Sequence, residues 1–491
     1  MKIILTSSSA VLKRVLSFLR GRFGRPPAPP EPADRMGLPP AHPATPAQVP
    51  EVDVVERPPS RPTRRNERTV VVGVDFGTSS TKVIWQDLGD NHFEVFQWRT
   101  SNGSSSFLLP STVLLRNGSM HFGVPGPEAH EGDVLLQSIK LCVLCRRKPT
   151  ICRCGNAAAR QGMICLPGSA DTIPASSFAC LFLAHVFREV EGRLSARFPD
   201  DELVLIWNVG CPMDHLDIGD LRSQWEKMTG AAIELRRQVP NPADISLLAQ
   251  ATRLVERLAI TVPSERNYFV QPEGLAAVKA FLESPHGESK TYAIVDVGAG
   301  TTEVSFFFNG IAMLEPGHPF RPSYLADSTD AVGGVKIDLE LAQAWGCCIE
   351  EAQKRKEAGP PSIPVVRSVE DICMQYQRTC GEIVKQNKLI APHDKRFDLF
   401  VIGGGGRLLT LQRSLHHREL PGGFVREHSR QLKPPKGLKN GATLQEHFDL
   451  LSIACGLASS LDWEYYPPSD VDSMPAMPTK PKPDLDEYYP K

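Results

Sequence analysis

No run of about eighteen apolar residues occurs anywhere in the 491-residue sequence, so no membrane-spanning helix is expected. Net charge is also nearly absent, −1 at neutral pH. The chain therefore lacks the broad basic field that draws proteins to nucleic acid or anionic membranes. A secretory signal is not expected either: Lys and Arg interrupt the apolar opening stretch, and no small-residue cleavage site follows it. Without a route to an oxidising compartment, the 12 cysteines are expected as reduced thiols or metal ligands of a cytoplasmic protein. No internal sequence repeat is found.

What is present starts with Val11, Val15, Leu16 and Leu19, spaced helically among basic residues within Met1–Arg25. This fits either a frayed tail or a helix resting on a membrane surface or a protein partner. Residues 1–68 form an N-terminal extension whose part from 26 on is dense in Pro. Pro fixes φ and removes backbone donors, so a disordered linker is predicted there. The tail 462–491, rich in Pro, Asp and Tyr, reads likewise. Between them, 69–461 is one continuous globular region.

Within that region strands alternate with helices, which predicts an α/β fold. The β-branched run from Thr69 leads into Asp75-Phe-Gly77-Thr78-Ser79-Ser-Thr-Lys82, after which Val83-Ile84-Trp85 resumes a strand. Tyr292 to Asp296 leads likewise into Val-Gly298-Ala-Gly300-Thr301-Thr302, followed by Glu303 and an apolar strand. A third glycine turn, Gly403-Gly404-Gly405-Gly406, follows the strand Leu399–Ile402. Helices are predicted near 178–197, 243–260, 273–283, 338–357, 369–388 and 443–460, with a buried strand over Leu203–Trp207.

Glycine-rich hairpin tips have a plain chemical use. Their backbone N–H groups point outward and surround a phosphate, which bulky side chains would block. Hydroxyls of Thr78, Ser79, Thr301 and Thr302 add donors. Asp75 and Asp296, at the strand ends, suit a hydrated Mg²⁺ beside phosphates, because that ion keeps its waters and takes few carboxylates.

In this order the motifs resemble the phosphate-one, phosphate-two and adenosine motifs of the actin, sugar-kinase and heat-shock-chaperone ATPase superfamily, in its DnaK or heat-shock protein 70 branch. Gln271-Pro-Glu273-Gly-Leu-Ala-Ala resembles the connecting helix of those chaperones. Gly333-Gly334 with Asp338 resembles the step after the second phosphate loop, Asn208–Pro212 the strand ending in a Pro turn, and Ile453–Ala458 the final small-residue helix.

The resemblance implies a two-lobed actin-like fold of duplicated ribonuclease-H-like lobes, with ATP and Mg²⁺ in the cleft between them. It implies that Glu273 positions the attacking water and Lys140 reaches the γ-phosphate, with Asp75 and Asp296 holding the Mg²⁺ hydration shell. Thr301 is implied to place water or phosphate. Gly403, Gly404 and Gly405 are implied to approach the adenosine, and Arg407 to stack on the adenine. Glu351 and Lys354 resemble the family's pair for ribose and adenine, and Gln353 with Lys356 fits nearly as well.

The sequence departs from the chaperones in three places. Glu303 stands where they carry Asp, the stretch from Gly334 to Gly403 is shorter, and no peptide-binding sandwich fits after the last helix.

Cys142, Cys145, Cys152 and Cys154 lie close together among Arg and Lys, and Cys165 is a spare. Such thiolates close a tetrahedral Zn²⁺ site, which makes 140–166 a candidate structural zinc insertion. The alternative is a loop of reduced or redox-active thiols. Cys347 and Cys348 are expected as core residues of a helix.

The expected function is an Mg²⁺-dependent ATPase switch read by a protein partner. A polymerising actin-like protein and a non-hydrolysing nucleotide sensor stay open. A small-molecule kinase ranks last, because no motif for its catalytic Asp is evident.

Overall fold

Runs of Val, Ile and Phe broken by glycine turns form the strands of two main sheets. The computed structural model describes residues 66–460, apart from 101–102, 145–161, 166–171, 213–219, 259–266, 286–289, 310–322, 359–362 and 386–394. The predicted disordered tail 462–491 and residues 1–65 of the extension therefore lie outside the described residues, whereas 66–68, expected as disordered, begin the first strand.

The Val-rich run forms β1 (Asn66–Phe76), which turns through Gly77–Ser79 into β2 (Ser80–Asp87) and β3 (His92–Val95). After α1 (Ile139–Leu144) and α2 (Ala175–Arg197), β4 (Asp201–Cys211) runs beside β1. Next come α3 (Asp220–Leu235), α4 (Leu247–Arg257) and β5 (Tyr268–Pro272). The strand order is β5-β4-β1-β2-β3. Here β1, β4 and β5 are parallel, while β2 and β3 pair antiparallel.

Helix α5 (Glu273–Glu283) then carries the chain into a second sheet. This contains β6 (Lys290–Val297), β7 (Thr302–Asn309) and β8 (Ser323–Asp330). Helices α6 (Gly334–Trp345), α7 (Ile349–Glu357) and α8 (Arg367–Lys385) follow. The chain ends its second sheet with β9 (Arg396–Ile402), α9 (Leu409–His417) and β10 (Val425–Arg430), and α10 (Phe448–Ala458) closes the described region. The order β8-β7-β6-β9-β10 repeats the first sheet strand for strand, with the same senses of pairing. One mixed α/β topology thus occurs twice.

Alternation along β6 places the sheet between two cores. Ala293, Val295 and Val297 face α6 and α8, whereas Tyr292 and Ile294 face α5 and α10. Those two helices fill the space between the sheets, and small residues let them do so. A Cβ on Gly456 would fall 1.7 Å from the Ala276 carbonyl oxygen, and one on Gly73 would fall 2.3 Å from that of Ala454. Helix α10 is therefore pressed against both α5 and β1.

Several expected boundaries move. The helix expected over 338–357 is two helices, because Gly346 (φ +63°) takes the left-handed conformation that caps α6. Cys347 and Cys348 consequently sit at the break, part-buried and exposed, and are not core residues of a helix. Helix α4 starts at Leu247, since Ala243–Asp244 forms a strand against Ser119–Met120. Helix α3 and the small sheet built on Val113–Arg116 had no counterpart in the sequence reading. Among the described residues, no helix is long and apolar enough to cross a membrane.

Candidate functional site

The ends of β1 and β6 meet where the sheets face one another. Each hairpin turns tightly: the Gly77 N–H donates to the Asp75 carbonyl at 3.0 Å, and the Gly298 N–H to the Thr301 carbonyl at 2.9 Å. The tips touch. A Cβ on Gly300 would lie 2.8 Å from Thr78 Oγ1 and 2.5 Å from Leu141 Cδ2, so only glycine permits this approach.

The other glycines close on the second tip. N–H groups of Gly334 and Val335, at the start of α6, each donate at 2.9 Å to the carbonyls of Gly298 and Ala299. A Cβ on Gly333 would strike the Gly298 oxygen at 2.7 Å. Gly403 has φ +80°, and a Cβ there would fall 2.3 Å from Asp296 Oδ1, while one on Gly405 would press on Val297 at 2.6 Å. Gly404 lies exposed beside them. Thr301 is buried, and Thr302 donates its hydroxyl proton to the Val332 carbonyl at 2.6 Å. Ser79 is exposed at the first tip.

Charged groups gather around these turns. Lys140 Nζ on α1 donates to Glu273 Oε1, the first residue of α5, at 2.5 Å, and both side chains are buried. Lys82 Nζ on β2 pairs with Asp75 Oδ2 at 2.8 Å. Asp296 and Glu303 lie directly opposite each other in the β6–β7 register. Among the described residues, neither carboxylate oxygen of the buried Glu303 has a hydrogen-bond partner.

Burial and nearby charges perturb these groups. Burial, then Asp75 and Glu273, raise the Asp296 carboxyl to about 7. Burial, then Glu273 and Asp296, hold Glu303 well above the usual carboxylate range. Burial also raises Glu273, against the pull of Lys140. For Lys140, burial acts against the charge, but Glu273 and Asp75 outweigh it and keep the ammonium form.

Fully ionised, Asp75, Glu273, Asp296 and Glu303 against Lys82 and Lys140 leave two negative charges in excess. A divalent cation with oxygen ligands matches that surplus, and the orphaned Glu303 oxygens provide acceptors for its hydration shell. The donor set fits Mg²⁺. Among the described residues, Asp398, Glu427 and His428 also come within metal-binding reach. Lys290 and Arg430 already lie 2.8 Å from Asp398 there, so no charge deficit is left for an ion.

Other expected residues fare differently. Arg407 grips Asp449 with Nε and Nη2, both at 2.6 Å, at the end of the glycine turn. Glu351 pairs with Arg355 at 2.9 Å, and Lys354 is exposed. In that helix Lys356 is joined to Asp338 on α6, and Gln353 donates to Glu357 at 2.9 Å. Of the zinc candidates, Cys145, Cys152 and Cys154 lie outside the described residues. Cys142 lies on α1, part-buried, and burial pushes its thiol up to about 11.

Lys82 and Asp449 escaped the sequence reading. Lys82 was within reach of it, because the hairpin register that sets Glu303 opposite Asp296 sets Lys82 opposite Asp75. No protein-family model matches the chain, and no curated protein matches it either.

Proposed function

We propose that the chain is a two-lobed, actin-like ATP-binding protein that hydrolyses ATP with Mg²⁺ and acts as a switch read by a protein partner. The observation that carries this reading is the contact of Gly300 with Thr78 beside a buried, acid-rich cluster. Two glycine hairpins from separate sheets then present their N–H groups to one polyphosphate chain. The repeated strand order supports the duplicated-lobe architecture.

In this reading Thr78 and Ser79 from one tip, and Thr301 from the other, donate hydroxyl protons to phosphate oxygens. Lys82 and Lys140 offset phosphate charge. Glu273, held by Lys140, accepts a proton from the attacking water and orients it. Asp75, Asp296 and Glu303 would hold the metal. Bound Mg²⁺ supplies neutralisation of the phosphate charges. Lys140 and Glu273 thus serve both as an ion pair and in the chemistry, with Lys140 holding Oε1 at 2.5 Å.

That contact also favours a second reading, a nucleotide sensor in which the pair stays closed and ATP is bound without hydrolysis. Calorimetry with Mg·ATP followed by a single-turnover phosphate assay separates the two. Binding with turnover abolished by Asp296→Ala supports the switch, and binding without turnover supports the sensor. No binding at all sinks both.

A further inference from the structure

The end of β4 passes behind Glu273. Strand β4 stays paired with β1 as far as Val209, while its pairing with β5 continues through Gly210–Gln271 and Cys211–Pro272. The residue after Pro272 is Glu273, the first of α5. A Cβ on Gly210 would fall 3.0 Å from Glu273 Cγ and 3.1 Å from Oε1, the oxygen that Lys140 holds at 2.5 Å. The Gly210 backbone is not left-handed, so glycine serves here for space alone. The carboxylate stands in a slot between a bare Cα and the Lys140 ammonium.

That Cα is itself held in place. Trp225, fully buried on α3, donates its indole N–H to the Gly210 carbonyl at 3.0 Å. Asn208, on the same strand, donates Nδ2–H to the Leu457 carbonyl of α10 at 2.7 Å, and Leu457 Cδ1 would lie 3.2 Å from a Gly210 Cβ. The Gly210 peptide is thus fixed by α3, by α10 and by its pairing with β5. A buried indole N–H needs an acceptor. Here the acceptor belongs to the residue that backs the carboxylate, so loss of the bond frees the wall against which Oε1 is set. Small displacements of a base relative to its water are costly in rate.

We propose that Trp225 and Gly210 are positioning residues for Glu273: the indole fixes the Gly210 peptide, and the bare Cα leaves the slot in which the carboxylate meets Lys140. This rests on the ATP-hydrolysis reading above. The pair sets the chemical step and leaves nucleotide affinity alone.

The test uses the full chain with Mg·ATP, calorimetry for affinity, a single-turnover assay for hydrolysis and thermal melts for the fold. Trp225→Phe, which keeps a buried ring and removes the donor, should slow hydrolysis about tenfold with ATP affinity within about twofold of wild type. Gly210→Ala should slow it about 100-fold at similarly preserved affinity. Glu273→Asp supplies the readout that a merely structural role would not move, because it withdraws the carboxylate by about the length that the added methyl takes up. It should cost at least about tenfold in the wild-type background and no more than about threefold further after Gly210→Ala.

Unchanged hydrolysis in Trp225→Phe overturns the proposal, whether or not Gly210→Ala folds. So does affinity that falls in step with hydrolysis in either variant, or full multiplication of the Gly210→Ala and Glu273→Asp effects. Each of these outcomes, with the wild type hydrolysing ATP, removes this inference alone and leaves the ATPase reading standing. A wild type that binds Mg·ATP without turnover, or does not bind it, removes the hydrolysis reading and this inference with it.

Discussion

Asp296 stands directly opposite Glu303 across β6 and β7, in the place that Lys82 takes opposite Asp75 in the first hairpin. The same backbone design thus carries an ion pair in one sheet and two carboxylates in the other. Like charges facing one another across a ladder are unfavourable unless a proton or a cation intervenes. This asymmetry is the source of the surplus negative charge and leads to the first two predictions.

Glu303→Gln should leave the stability of metal-free protein within about 1 kcal/mol of wild type, because the amide matches the carboxyl in size and burial beside Glu273 and Asp296 disfavours the ionised form it removes. It should raise the Mg²⁺ concentration needed for tight ATP binding about tenfold. Thermal melts in EDTA and Mg²⁺ titrations at fixed ATP measure both. An unchanged Mg²⁺ requirement would remove Glu303 from the metal's surroundings.

The pH dependence follows from Asp296. Its carboxyl is raised to about 7 from 3.8, so between these values the folded protein holds a proton that the unfolded chain has lost. With more protons bound in the folded state, the stability of metal-free protein falls as pH rises across that window and levels off above it. Mg²⁺ competes for the same oxygens, so its affinity should rise with pH toward about 7 and then flatten. Melting curves in EDTA across this range check the sign, and Asp296→Asn should flatten them.

Gly300→Val should separate the hairpin tips, since even its Cβ would meet Thr78 Oγ1 at 2.8 Å and Leu141 Cδ2 at 2.5 Å. ATP affinity should drop by about 100-fold, matching the loss of one to two charge-assisted hydrogen bonds, while stability falls by about 1–3 kcal/mol. Wild-type nucleotide affinity in this variant would place the ligand elsewhere.

Lys140 and Glu273 form a buried pair, and truncating either alone strands the other's charge. Glu273→Ala should cost about 3–5 kcal/mol of stability, and the double variant with Lys140→Ala less than the sum of the two singles. Glu273→Gln should keep the fold and slow ATP hydrolysis at least about 100-fold. Chemical denaturation and single-turnover assays provide the numbers. Additive single and double variants would mean that the two groups do not share a site.

The sequence by itself determined the local chemistry: the glycine turns after β1, β6 and β9, the Asp at each of the first two turns, and α5 starting at Glu273. These follow from steric and hydrogen-bonding rules that act over a few residues, so one strand of sequence contains them. Where the helix 338–357 broke was less legible, because a glycine within a helical pattern either continues the helix or caps it, and packing selects between the two.

Tertiary structure decided what lies beside what. That Thr78 touches Gly300, that Lys140 reaches Glu273 over a separation of 133 residues, and that Arg407 is held by Asp449 depend on how two sheets close around α5 and α10. That closure is set by long-range burial and by the close backbone approaches at Gly73 and Gly456. A residue's partners across such a contact leave no periodic trace in the chain.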